Sequence, residues 1–187
     1  MGLGIAGAFL LSTITPFSMQ FNAAQLSDGT TVFDSPPRLV SFTTTRNRTN
    51  DRRATYYITV DLLPEAGEPL KTLQVELIEG RFRQLDYRLD EIRVFEGDRG
   101  SQGADFPLES ADYDDDTQIL TVYLAEAAEP GQTITLALSP FRNPDRSGVY
   151  LFEVTAAPEG DLPVFQRVGT GRLNIFEQRF LTLQDLI

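Results

Sequence analysis

The stretch TYYITVDL at residues 55–62 alternates without a break: Tyr56, Ile58, Val60 and Leu62 are apolar, with Tyr57, Thr59 and Asp61 between them. Successive side chains of an extended strand point to opposite sides, so a period of two puts one face in a core and the other in water. A helix would scatter the same four apolar residues around its axis. Aromatic and β-branched residues dominate the stretch, and these fit a pleated, half-buried surface.

Working outward, the pattern recurs at Leu73, Val75 and Leu77, at Leu120, Val122 and Leu124, at Ile134, Leu136 and Leu138, and at Tyr150, Phe152, Val154 and Ala156. Each run has the length of a strand rather than a helix. Less regular runs at residues 38–45, 91–95, 106–109 and 171–176 bring the set to about eight or nine strands, the number of a two-sheet sandwich. Turn residues separate them: PEAGEP at 64–69, NPDRSG at 143–148 and PEGDLP at 158–163. Pro130-Gly131 sets a fixed φ beside a residue free to take positive φ, which predicts a type II turn and a hairpin between the strands centred on Val122 and Leu136. No repeat or linker interrupts the pattern, so the expected fold is all-β: a single antiparallel, immunoglobulin-like β-sandwich over residues 25–187.

Composition narrows the chemistry. The chain has 187 residues, 41% of them hydrophobic, enough for one sizeable core. With 16 Lys and Arg against 27 Asp and Glu, its formal charge is -11, which repels nucleic acid and anionic lipid. There is no Cys, hence no disulfide, thiolate chemistry or cysteine-borne lipid anchor, and no His, the usual general base and transition-metal ligand. The carboxylate pairs left as candidate acids and bases, Glu65 with Glu68 and Asp86 with Asp90 and Glu91, have no spacing that sets them across a bond. The segment at residues 97–103 lacks the Lys and the strand-to-helix setting of a phosphate-binding loop. The chain is therefore expected not to be an enzyme.

The two ends differ from the middle. Residues 3–17 carry no charge, and small and polar residues follow up to Asp28. At about 15 residues the run is shorter than the ~20 that span a bilayer, so it reads as a signal peptide over residues 1–24 processed near Ala23 and Ala24, rather than as a permanent anchor. No Lys or Arg precedes it, which departs from the usual leader. In the tail at residues 177–187 and just before it, Phe176, Phe180, Leu183 and Ile187 recur at helical spacing, predicting a short amphipathic helix that packs back on the sandwich or docks on a partner.

Two internal clusters are candidate contact sites. Arg46, Arg48, Arg52 and Arg53 crowd the loop TTTRNRTNDRR at residues 43–53, a local positive patch suited to anions or an acidic partner surface. Asp112, Asp114 and Asp116 have the spacing of the first three ligands of a calcium loop, but Thr117 stands where that loop needs Gly and Tyr123 where it needs Glu. An exposed Asp-rich turn is the favoured reading, and calcium is the one cofactor these residues suggest.

YYITVDLLPEAGEPLKTLQVE at residues 56–76, FEG at 95–97, PGQTITLALSPFRNPDRSGVYLFEVTAAPEG at 130–160 and GRLNIF at 171–176 resemble a cyanobacterial exported family catalogued as domain of unknown function 2808. The resemblance spans residues 33–177 and is most specific in the PG turn, NP turn and GVYLF strand taken together. It implies a cyanobacterial source and a place in the periplasm, thylakoid lumen or cell exterior, and it implies no catalytic or binding residue. The function expected is a non-catalytic protein-binding or accessory module that meets another envelope or membrane-associated protein. The alternative is a carbohydrate or envelope-polymer binder, calcium-assisted at the Asp turn, using the Arg loop with Tyr57 and Tyr123.

Overall fold

The computed structural model describes residues 29–81 and 85–177. The signal peptide expected at residues 1–24 and the tail residues 178–187, with Phe180, Leu183 and Ile187, lie outside them. The strands in chain order are β1 (Thr30–Thr31), β2 (Arg38–Thr44), β3 (Tyr56–Asp61), β4 (Leu70–Glu79), β5 (Arg93–Asp98), β6 (Ser101–Phe106), β7 (Leu108–Asp114), β8 (Ile119–Ala128), β9 (Thr133–Leu138), β10 (Gly148–Pro158), β11 (Leu162–Pro163) and β12 (Gln166–Ile175). Ten of them form two five-stranded sheets, ordered β12-β10-β4-β8-β7 and β2-β3-β9-β5-β6, in which every pairing is antiparallel. The short β1 and β11 pair with each other in parallel. This is the all-β, two-sheet antiparallel sandwich expected. Among the described residues there is no α-helix, and no helix is long and apolar enough to cross a membrane.

The alternating runs face inward from both sheets into one core. Tyr56, Ile58 and Val60 of β3 meet Phe152 and Val154 of β10 there, with Leu73 and Val75 of β4, Leu120 and Val122 of β8 and Leu136 of β9. The Tyr56 ring meets the Phe152 ring edge-on at 5.9 Å, and Phe42 stacks on Phe152 at 4.8 Å. Gly171 of β12, opposite Phe152 in the pairing, leaves the space that the Phe42 ring occupies. On the outer face of the second sheet, the buried Thr59 and Thr135 hydroxyls share a hydrogen bond of 2.9 Å.

Two expectations are corrected, and one strand is new. The predicted type II turn forms, with Gly131 at φ +92° and Gln132 N–H donating to Glu129 O at 3.1 Å. It joins no hairpin, however, because β8 and β9 belong to different sheets. Gly131 N–H donates to Leu62 O (2.7 Å) and Leu62 N–H to Gln132 O (2.9 Å), so the turn is stitched to the end of β3 and delivers the chain beside it. The single short strand expected at residues 106–109 is two strands in two sheets, divided at Pro107, which has no N–H to continue a ladder. The edge strand β6, SQGADF, was not anticipated since it has no apolar alternation. Its register is set by the preceding turn, where the Asp98 carboxylate accepts from Gly100 N–H (2.7 Å) and Ser101 N–H (2.8 Å).

The antiparallel order gathers loops at one end. The β2–β3 connection, the segment between β4 and β5, the β7–β8 turn, the β9–β10 connection and the exit from β12 all emerge together. Backbone bridges between Arg48 and Phe176 and between Tyr87 and Pro140 tie four of them to one another.

Candidate functional site

At this loop end the arginine-rich connection is held by a residue that reads in sequence only as part of a turn. Asn143 is fully buried. Its Nδ2 donates to Arg46 O (3.0 Å) and Arg48 O (2.9 Å), and its Oδ1 accepts from the Tyr56 hydroxyl at 2.8 Å. Its own N–H donates to Asp51 O at 2.8 Å, and Asn50 N–H donates to Pro144 O at 3.1 Å. The loop is therefore pinned to the core through a buried phenol. Burial, and then the neighbouring Tyr150, push the Tyr56 pKa far above the ordinary tyrosine value, so the hydroxyl remains a donor.

The four predicted arginines divide by role. Arg46 and Arg53 each lie 3.9 Å from the Asp51 carboxylate, which also accepts Arg53 N–H at 2.8 Å. Arg48 donates to Glu177 O at 3.1 Å and lies 6.0 Å from the centre of the half-exposed Phe176 ring. Of the four, Arg52 alone lines a concavity of about 340 Å³, together with Asp86, Arg88, Phe141 and Arg142. A neighbouring hollow of about 370 Å³ is lined by Arg52, Arg53, Arg88, Glu91 and Ser139, among others.

Arg88 builds the shared wall. Its Nη1 donates to Pro140 O (2.9 Å), its Nη2 donates to Phe141 O (3.1 Å) and Arg52 O (3.3 Å), and its Nε lies 3.8 Å from Glu91. The guanidinium also sits 5.1 Å from the centre of the Phe141 ring, which is 53% exposed. Arg88, Phe141, Arg142 and Asn143 were not singled out from sequence. They lie on two loops far apart in the chain, and spacing does not show that these loops meet.

The Asp turn opens at the same end. Asp114 accepts from Asp116 N–H (2.8 Å) and Thr117 N–H (3.2 Å), closing the β7–β8 hairpin with Gln118 at φ +60°. These N–H groups, Thr117 first, hold the Asp114 pKa below its ordinary value. Ser110 donates to Asp112 at 3.4 Å. Among the described residues no group of three or more acidic side chains is gathered so as to hold a metal ion. Tyr113 packs edge-on against the buried Tyr87 at 5.5 Å, and its pKa is raised by desolvation and then by Asp86 and Asp115. Thus Asp86 stands between the arginine concavity and the Asp turn.

Other singled-out residues lie apart. Tyr57 is on β3 and Tyr123 on β8, in different sheets, and a guanidinium, that of Arg99, lies 5.1 Å from the Tyr57 ring centre, so the two do not form a shared aromatic platform. Glu65 and Glu68 flank Gly67 at the opposite end, where Glu68 is buried. That end also carries an exposed apolar run, Leu162, Val164 and Phe165.

No match is found among curated proteins. Among solved structures, the collagen-binding domain of a Staphylococcus aureus adhesin is similar at a TM-score of 0.39 and 6% identity, with 73% of this chain and 97% of that chain covered. The structure described as the RrgA Jo.In complex is similar at a TM-score of 0.40 and 12% identity, covering 75% and 78%. A family model described as a protein of unknown function, DUF2808, matches residues 30–175, and the chain belongs to that family.

Proposed function

We propose that this chain is a non-catalytic binding module that meets another envelope or membrane-associated protein, outside the cytoplasm, through the loop end of the sandwich. The observation that carries this is the convergence of the arginine loop, the Phe141 loop and Phe176 on one end, tied together by hydrogen bonds from the buried Asn143 and from Arg88. Arginines and half-exposed aromatic rings on pre-ordered loops are the groups that dominate binding energy at protein interfaces, and little ordering entropy is lost when they engage. The uncharged residues 3–17 support export. The absence of His and Cys supports a role without acid–base or nucleophilic chemistry.

The test is affinity recovery from a native extract with the chain tagged in its own cell. Wild type is expected to retain one partner in stoichiometric amount, and F141A/F176A to lose it. L162S/F165S, at the far end, is expected to retain it. Recovery of no stoichiometric partner, or equal recovery by F141A/F176A, refutes the assignment. Export is checked by fractionation together with mass determination of the mature N-terminus.

A further inference from the structure

We propose that the concavity between Arg52, Arg88, Arg142 and Phe141 receives a carboxylate from an acidic segment of the protein partner. This deepens, and rests on, the loop-end reading above.

Four arginines line the paired hollows, Arg52, Arg53, Arg88 and Arg142, against two acidic residues, Asp86 and Glu91, in a chain whose formal charge is -11. Glu91 is already beside Arg88, and Arg53 beside Asp51. The Arg88 guanidinium is engaged with three backbone carbonyls. The Arg52 and Arg142 guanidiniums, by contrast, make no hydrogen bond or ion pair among the described residues. Two unengaged arginines lining one concavity with a third that is fixed supply the planar donors that suit bidentate contact with a carboxylate.

The ligand class follows from size, charge and the ring. A volume of about 340 Å³ takes one side chain or one chain terminus, not a length of polymer. The Phe141 ring, held at 5.1 Å from Arg88 and half-exposed, offers an apolar wall for the residue beside the acid. Asp86 in the same concavity opposes a dianion more strongly than a monoanion, which favours a carboxylate over a phosphate. The overall charge repels extended polyanions, so the acid belongs to a short segment of an otherwise weakly charged surface.

The experiment measures fluorescence anisotropy of the full chain with a labelled peptide, Ala-Phe-Glu-Glu-Phe-Ala, alongside its Gln analogue and its phosphoserine analogue. The Glu peptide is expected to bind about tenfold or more tightly than the Gln analogue and to lose about tenfold in R52Q/R142Q. The melting temperature of that variant should be unchanged, and R38Q/R172Q, which removes two exposed arginines elsewhere, should bind as wild type. Unaltered binding by R52Q/R142Q overturns the proposal. So does an equal loss in R38Q/R172Q, which would show bulk charge alone, or a preference for the phosphoserine peptide. In the affinity recovery, a partner retained equally by R52Q/R142Q overturns the pocket and leaves the loop-end reading standing. Failure of wild type to recover any partner strikes the loop-end reading, while the peptide assay still decides the pocket.

Discussion

Replacing Asn143 by Ala removes a fully buried side chain that joins the arginine loop to the core. Three hydrogen bonds are lost: two from Nδ2 to Arg46 O and Arg48 O, at 3.0 and 2.9 Å, and one from the Tyr56 hydroxyl at 2.8 Å. The Arg46 and Arg48 carbonyls belong to an exposed loop and can turn toward water, so each costs about 0.5–1.5 kcal/mol. The Tyr56 hydroxyl is fully buried and has nowhere to turn, which adds about 1–3 kcal/mol. The total is about 4 kcal/mol, a fall of roughly 8–16 °C in melting temperature for a chain of this length. Denaturant melts of N143A, Y56F and the double variant measure it. The double variant should cost less than the sum of the singles by about 1 kcal/mol, because the shared bond is counted once. Amide exchange should meanwhile accelerate at Thr49 and Phe176, whose N–H groups bond across the loops. A loss below about 1 kcal/mol in N143A, or strict additivity with Y56F, refutes the claim that the loop is pinned through this contact.

Gly171→Ala should destabilise by about 1–3 kcal/mol in a denaturant melt, since the added methyl overlaps the Phe42 ring; adding F42A should relieve the overlap and show as non-additivity. Asp114 should titrate below the ordinary aspartate value by carbonyl-detected NMR. Because its folded pKa is the depressed one, its contribution to stability is present above the unfolded value and is lost as the pH falls through the folded value; D114A should remove that acid-side dependence. Thermal melts in calcium and in chelator should coincide, given how the acidic side chains lie among the described residues; a higher melting temperature in calcium would refute this.

The sheets were legible because a half-buried strand writes its orientation into the chain every second residue, as Tyr56, Ile58, Val60 and Leu62 do. Turn type was legible for the same local reason: Pro130-Gly131 dictates φ at two adjacent residues, and the turn forms. What that turn joins was not legible. Gly131 and Gln132 bond to Leu62, a residue distant in sequence, and this tertiary contact places β9 beside β3 instead of β8. Strand β6 was hidden because an edge strand needs only backbone pairing and buries little, so its side chains carry no pattern.

The candidate site divides the same way. The positive charge of residues 46–53 and the compact Asp turn are local properties, readable from composition and spacing. Sequence alone thus established an all-β chain without imidazole or thiol, carrying one basic loop in an acidic protein. Tertiary structure decided which of those arginines are engaged, by Asp51 and the Glu177 carbonyl, and which remain open. It also decided that Arg88 and Phe141 join them and that Asn143 holds the end together. The physical reason is that hydrogen bonds between loops depend on where antiparallel strands end in space, and the sequence of each loop carries only half of that contact.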